Sequence, residues 1–308
     1  IIFNLSSVAQ TWTQVGSDID GETAGDRFGS SVALSSDGST VAIGAYLNDG
    51  NGTDAGHVRI YKNISGTWTQ QGSDIDGENE GDESGWSVAL SSDGSIVAIG
   101  ADCRSNSWGD LDSGYVRVYK NTSGTWTQIG SDINGEKRYD LSGYSVSLSS
   151  DGSIVAIGAP WNDGNGGNAG HVRIYKNISG TWTQQGSDID GEGVSHSGWS
   201  VSLSSDGSIV AIGAPRNTSD SGYEAGHVRI YKNISGTWTQ QGSDIDGENA
   251  SDFAGWSVSL SSDGSTVARG APRANGLNAG SVRVYKNISG IWTQQGSYIN
   301  GDGQHGWS

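Results

Sequence analysis

Six tryptophans constrain the chain more than any other feature. Trp12, Trp68, Trp126, Trp182, Trp238 and Trp292 each sit in a Thr/Ile-Trp-Thr-Gln unit, at spacings of 56, 58, 56, 56 and 54 residues. A period of this length marks a repeat architecture, in which each unit buries its apolar surface only by stacking on its neighbours. Between tryptophans the same elements return: Ser-Val-Ala/Ser-Leu-Ser-Ser, Asp-Gly-Ser, Val-Ala-Ile-Gly-Ala, an irregular loop, Val-Arg-Ile/Val-Tyr-Lys, and a short Asn-Ile/Thr-Ser-Gly turn. Each repeat therefore carries four strands.

The strands differ in character. In the second copy, Trp86, Val88 and Leu90 alternate with Ser87, Ala89 and Ser91 on the first strand, which is period-two patterning with one small-residue face. The second strand, Ile96 to Ala101, is apolar or small on both faces, so its sheet must be covered on both sides. The third alternates Val58 and Ile60 with His57, Arg59 and Tyr61, and the fourth carries Trp68 among Thr67, Thr69 and Gln70. Asp37-Gly38, Asp93-Gly94, Asp151-Gly152, Asp206-Gly207 and Asp263-Gly264 predict tight hairpins in which both central residues have positive φ. Asn63-Ile64-Ser65-Gly66 and its equivalents predict a second hairpin, and no segment has a helical period.

Four-stranded antiparallel meanders repeated around an axis describe an all-β fold, the β-propeller. Five complete sets predict five blades, near residues 29–84, 85–142, 143–197, 198–254 and 255–296, in one domain spanning 11–308. A spare strand at Thr11 to Gly16 and a sixth Gly-Trp-Ser start at Gly306 to Ser308 leave open a larger ring or array, and a linear solenoid is the structural rival.

Composition then narrows the partners. A formal charge of -17 repels phosphate backbones and anionic head groups, so neither nucleic acid nor membrane surface is an expected partner. No run approaches the roughly 18 apolar residues of a spanning helix, so no membrane insertion is expected. The single Cys103 closes no disulfide within the chain. Residues 1–10, with Ile1, Ile2, Phe3 and Leu5 before Ser7-Val8-Ala9, read either as the end of a signal peptide or as an ordinary apolar tail.

Arg27-Phe28-Gly29-Ser30-Ser31-Val32-Ala33-Leu34, then Val41-Ala42-Ile43-Gly44-Ala45 and Gly56-His57-Val58-Arg59-Ile60-Tyr61, resemble the FG-GAP repeat of integrin-like β-propellers. Ile157-Gly158-Ala159-Pro160 and Ile212-Gly213-Ala214-Pro215 match its Gly-Ala-Pro element more closely still. The resemblance implies a secreted or cell-surface, non-catalytic binding or adhesive module, directed at a glycan or another extracellular surface. A structural unit that self-associates into an array, and a polysaccharide-active enzyme of lyase type, are the alternatives. One departure stands out: FG-GAP repeats often carry an Asp-rich calcium loop between their first two strands, and here that connection is the minimal Ser-Ser-Asp-Gly-Ser.

Strand direction places the loops after the second and fourth strands on one face. These loops are long, varied and acidic, which is where recognition is expected. The loop after the fourth strand yields Asp18, Asp20, Glu22 and Asp26; Asp74, Asp76, Glu78 and Asp82; and Asp244, Asp246, Glu248 and Asp252. Carboxylates around a glycine suit Ca²⁺, although the spacing is not that of an EF-hand, and the same residues equally shape a solvated turn. Trp108 and Trp161 in the other loop, with Asn162, Asp163, Tyr46, Asn48 and Asp49, are the candidate ligand-binding residues, since rings stack on sugar faces while amides and carboxylates bond hydroxyls. Trp86, Tyr144, Trp199 and Trp256, which begin the first strands, read either the same way or as filling between blades. An enzyme needs residues the other blades lack. Lys137, Arg138, Tyr139 and His196 are such departures, suited to neutralising a sugar acid and moving a proton. His57, His171 and His227 recur at a strand edge and read as structural. Asn63, Asn121, Asn177, Asn233 and Asn287 lie in glycosylation sequons that also suit the turn they occupy.

Overall fold

A computed structural model describes residues 12–102, 113–274 and 279–301. Within them the chain forms five antiparallel sheets, and no helix is long and apolar enough to cross a membrane. The first sheet comprises β1 (Ser31–Leu34), β2 (Thr40–Ala45), β3 (His57–Ile64), β4 (Thr67–Gln70) and β5 (Ile75–Asp76). The other four repeat this plan, so the predicted blade plan and number are present.

The fifth strand in each sheet is an addition to the expected four. β3 is twice as long as β4, which pairs only with its second half, Tyr61 opposite Gln70. The chain then returns, setting Ile75 opposite Val58 and Asp76 opposite His57. Two residues show no periodicity, so this strand is invisible in the pattern. Its isoleucine is nevertheless core, as Ile75, Ile133, Ile189 and Ile245 are all buried.

The turns divide into two kinds. Ser65 and Gly66 both adopt positive φ, 53° and 89°, as a two-residue hairpin requires, and the Asn63 side-chain oxygen accepts from the Gly66 amide at 2.8 Å. The recurring asparagines thus brace a turn. The Asp-Gly connection is wider than predicted, because only Gly38 is left-handed and the loop closes from the Ser35 amide to the Thr40 carbonyl. Asp37 caps it, accepting from the Ser39 amide at 2.9 Å and from the Ser35 hydroxyl at 2.7 Å. These donors hold its carboxyl down at about 2.

Blades stack through one recurring junction. Ala42, Val58, Ile60 and Ile75 of the first sheet meet Val97 and Ile99 of the second, with Val88, Leu90, Tyr119 and Trp126 packed around them. Equivalent clusters fill the next three junctions. Gly44 lies directly beneath the Gly85 carbonyl of the following blade, where a Cβ would collide with backbone. Serine rungs add hydrogen bonds, from the amides of Ser36, Ser92, Ser150 and Ser205 to the carbonyls of Ser92, Ser150, Ser205 and Ser262. The strand-four tryptophans are rim residues that tie blades together: Trp126 donates to the Gln71 carbonyl at 2.7 Å.

Among the described residues no apolar cluster joins the fifth blade to the first. Val32 and Leu34 are 64% and 61% exposed on the outer face of the first blade, and Val282 and Ile299 are 40% and 66% exposed on that of the fifth. Residues 12–16, the described part of the spare strand expected at Thr11 to Gly16, are not in a ladder. They keep one repeat contact, the Trp68 indole donating to the Val15 carbonyl at 2.8 Å. The segments read as a signal remnant (1–10) and a sixth start (306–308) lie outside the described residues, as do Cys103 and Trp108.

Candidate functional site

The loops after the second and fourth strands interlock on one face, as strand direction predicts. The Asn51 side chain donates to the Gly77 carbonyl at 2.7 Å, and the Ser84 amide to the Ala55 carbonyl at 3.0 Å. Ser142 and Ser113, Ser197 and Ala169, and Ala254 and Ala225 repeat the second contact. Because the first strands start at this face, their aromatic residues form a continuous arc. Ring centroids run Tyr46–Trp86 4.8 Å, Trp86–Tyr144 5.5 Å, Tyr144–Trp199 4.8 Å and Trp199–Trp256 4.7 Å. Trp161 joins the arc 5.5 Å from Tyr144 and 5.6 Å from Trp199.

The acidic residues are dispersed rather than gathered. Arg59 on β3 takes Asp74 of the loop after it at 2.9 Å and Glu22 of the loop before it. Arg117 takes Glu78 at 2.7 Å and Asp132 at 2.8 Å; Arg173 takes Glu136 and Asp188; Arg229 takes Glu192 at 3.0 Å and Asp244 at 2.8 Å. Arg283 takes Glu248 but has the Tyr298 ring, 4.9 Å away, in place of an aspartate. Asp26, Asp82 and Asp252 are buried turn acceptors. Asp26 receives Asn48 at 2.7 Å, Asp82 the Tyr115 hydroxyl at 2.7 Å, and Asp252 the Asn249 amide at 3.0 Å. Asp18 accepts from Gln14, while Asp20, Asp76 and Asp246 are exposed. The four-carboxylate sets read within single loops are thus not assembled: in the second and fifth loops different arginines draw the first aspartate and the glutamate apart, and in the first Asp18 bonds Gln14 while Glu22 bonds Arg59.

Acidic groups instead approach histidines, as in Glu22–His57–Asp74, Glu136–His171–Asp188 and His227–Asp244–Asp246, whose ligand atoms lie within 4.8 Å of one another. An arginine bonds at least one carboxylate in each, occupying the charge a cation would answer. Burial, then the adjacent arginine, pushes His57, His171 and His227 down, the last to about 4.

The predicted ligand residues fare unequally. Asn48 and Asn162 are buried braces, Asn162 donating to Asp140 at 2.9 Å while its oxygen accepts from Gly164. Asp49 and Asp163 accept the Asp54 and Asn168 amides, closing their own loops. The Asn48 and Asn162 amides are thus engaged with a neighbouring aspartate and a loop amide, whereas Asp49 and Asp163 are exposed with one oxygen each on a loop amide. Tyr46 and Trp161 belong to the arc.

Trp161 also leads to a place where the repeat changes chemistry. Arg27, Glu83, Leu141, His196 and Phe253 hold equivalent positions, all with φ between 52° and 60°. The fourth loop is one residue shorter, so Ser195 stands where the others bury an aspartate, its hydroxyl donating to the Ala169 carbonyl at 2.8 Å. His196 is 3% exposed, 5.0 Å from Trp161 and 6.2 Å from Trp199, and its Nδ1 is buried without a hydrogen-bond partner. Burial, then the Arg216 charge, lowers its pKa to about 4, so the imidazole is neutral at pH 7. Arg216 corresponds to Arg273, whose guanidinium lies 4.6 Å over the Phe253 ring. Two residues along the chain from His196, which is buried and does not line it, opens a notch of about 430 Å³ lined by Glu192, Gly193, Val194, Arg216, Asn217, Thr218, Tyr223 and Glu224. Glu224 lies 3.7 Å from Arg216. The first blade has a wider notch, about 610 Å³, with Arg27 and Leu47 in place of His196 and Arg216. His196 was legible as a departure from the repeat. Arg216, Tyr223 and Glu224 were not, because their loop has no pattern to depart from.

Several solved structures share this architecture. A putative 6-phosphogluconolactonase from Bacteroides uniformis is 12% identical (TM-score 0.53, covering 89% of this chain and 86% of that one). Another from Bacteroides fragilis is 13% identical (TM-score 0.56, 87% and 70%). A periplasmic gluconolactonase from Pseudomonas aeruginosa is 16% identical (TM-score 0.56, 86% and 70%). At this identity the likeness is one of fold. No curated protein matches at the level of sequence. The expectation of a non-catalytic adhesion module is overturned here: structures with this architecture carry enzyme descriptions, so the fold gives no ground for excluding catalysis. Residues 17–61 and 134–175 match the FG-GAP repeat family, and the same strand elements recur in every blade.

Proposed function

We propose that this propeller is a hydrolytic enzyme, working outside the cytoplasm, that opens a small hydroxyl-rich sugar lactone or ester in the notch two residues along the chain from His196. The observation that carries the reading is His196 itself: a neutral, buried imidazole with an unspent nitrogen next to Arg216, in one blade of five. A neutral imidazole takes a proton from water, and a guanidinium stabilises the oxyanion that forms when water adds to a carbonyl. In this reaction the water oxygen bonds to the acyl carbon, the ring C–O bond breaks, and the proton held by His196 passes to the departing alkoxide, giving a hydroxy acid. Glu192, Glu224 and Tyr223, which line the notch, supply hydroxyl partners. The descriptions of the similar solved structures as gluconolactonases support the substrate class.

The test is hydrolysis of an aldonolactone panel by the whole chain, read by acid release against the buffer rate. His196→Gln is expected to lose about 10²–10⁴-fold in kcat and Arg216→Ala about 10²–10³-fold, with unchanged melting. A wild-type rate equal to buffer across the panel, or a His196→Gln variant of full activity, overturns the proposal.

A further inference from the structure

We infer that the junction between the fourth and fifth blades binds a small carboxylate, taken on the guanidinium edge of Arg283 with Arg269 and Ser281 beside it. The inference is independent of the notch, and four other blades display what such an arginine binds. Arg59, Arg117, Arg173 and Arg229 each donate from Nε to the aspartate of the loop that follows, Asp74, Asp132, Asp188 and Asp244, at 3.0, 2.9, 3.1 and 3.0 Å. Each also bonds a glutamate of the loop before it, so one guanidinium faces two carboxylates.

The fifth blade departs from this plan at three positions. Tyr298 stands where the others have the aspartate, Ser281 where they have His57, Tyr115, His171 or His227, and Arg269 where they have isoleucine. Arg283 keeps its glutamate, Glu248, but its Nε is buried with no hydrogen-bond partner. The Tyr298 ring, 4.9 Å from the guanidinium carbon, makes contact through its face and offers Nε no acceptor. The Arg269 Nε and the Ser281 hydroxyl are buried and unpartnered as well. Arg269 is the cross-strand partner of Arg283, and Ser281 lies two residues before Arg283 on the same strand. All three side chains therefore leave the sheet on one face. That face meets the fourth blade, where Arg269 bonds the Asp246 carbonyl and Arg283 bonds Glu248.

Charge points the same way. Among the described residues, Arg269 and Arg283 together bond one carboxylate, whereas each of the other four arginines bonds two. Three unspent donors beside two guanidinium groups call for an anionic acceptor. The edge of a guanidinium matches a carboxylate through paired bonds, as Arg117 does with Asp132. Glu248 and Tyr298, which contact Arg283, are both half-exposed, so this edge lies one side chain below solvent.

Urea midpoints of the whole chain at pH 7, in rising sodium acetate against sodium chloride at equal ionic strength, test this. Wild type is expected to show a rise specific to acetate, as binding to the folded chain alone requires. Arg269→Ile and Tyr298→Asp each restore the residue of the other blades, so both are expected to fold. The first removes a donor and the second supplies the carboxylate from within, and each is expected to lose the acetate-specific rise. General salt effects move all three chains alike. A wild type that answers acetate no more than chloride, or variants whose rise equals that of wild type, would overturn the inference.

Discussion

Arg269 donates its guanidinium to the main-chain carbonyl of Asp246 at 3.1 Å, across the junction between the fourth and fifth blades. The other four blades have Ile43, Ile99, Ile157 and Ile212 at this position. Arg269 is 2% exposed, its Nε has no partner, and its second contact, the Tyr285 hydroxyl, is 3.4 Å away. A buried cation so thinly bonded loses its hydration without full recompense. Arg269→Ile restores the repeat residue and is expected to raise stability by about 1–4 kcal/mol, read as a higher urea midpoint at unchanged slope. A lower midpoint would show that the arginine's contacts outweigh its desolvation.

The arginine clamps work in the opposite sense. Arg117 is buried and bonds Asp132 through two nitrogens, at 2.9 and 2.8 Å, while also reaching Glu78. Its hydrogen bonds are the chief cause holding Asp132 below the usual carboxylate range. Arg117→Ala leaves both carboxylates without a partner, but Glu78 is exposed and Asp132 part-exposed, so water recovers some of the loss. The expected cost is about 1–3 kcal/mol. Arg117→Lys is expected to recover less than half of it, since an ammonium cannot make the paired bond. Thermal unfolding of the two variants distinguishes geometry from charge.

Stability should fall with acid in two stages. His196 and His227 titrate near 4 in the folded chain against an unfolded value of 6.5. Below 6.5 the unfolded chain binds more protons, so stability present above that pH is lost as pH falls toward 4. Asp37 and Asp263, held at about 2 against 3.8, lose their contribution between those values. Denaturation midpoints from pH 8 to 2 are expected to decline through both windows. His227→Asn, which keeps a polar group but cannot charge, is expected to make the first window shallower, since His196 still titrates there, and to leave the second. A profile level from 6.5 to 4 would mean that the histidines titrate normally.

The blade plan was legible because a period near 56 residues and strand alternation are both written in side-chain type. The short strand at Ile75–Asp76 escaped because pairing of two residues is decided by the overhang of β3, not by local pattern. The acidic loops misled for a related reason. Asp74 and Glu78 look like ligands of one ion when read along the chain, yet Asp74 bonds Arg59, while Glu78 crosses to Arg117 of the next blade. Sequence order conceals that a loop between blades serves two sheets. His196 was legible because the other copies supply its background, whereas its nearness to Arg216, whose amide donates to the Ser195 carbonyl, depends on two separate loops meeting.

The clamps also bear on metal binding. In the third blade, Glu136, His171 and Asp188 present ligand atoms within 4.8 Å of one another, and the His171 Nδ1 is buried without a hydrogen bond, 3.7 Å from Asp188. Arg173 bonds both carboxylates and supplies the positive charge there. Removing it leaves two anionic oxygens and a neutral imidazole, a donor set suited to zinc. Arg173→Ala is therefore expected to be destabilised after chelation and restabilised by zinc, by about 2.7 kcal/mol at a hundredfold excess over Kd, whereas the wild type should not respond. Adding His171→Ala to this variant should abolish the response. A wild type that zinc stabilises equally would mean that the guanidinium does not block the site, and a variant indifferent to zinc that the three ligands are held too far apart to converge.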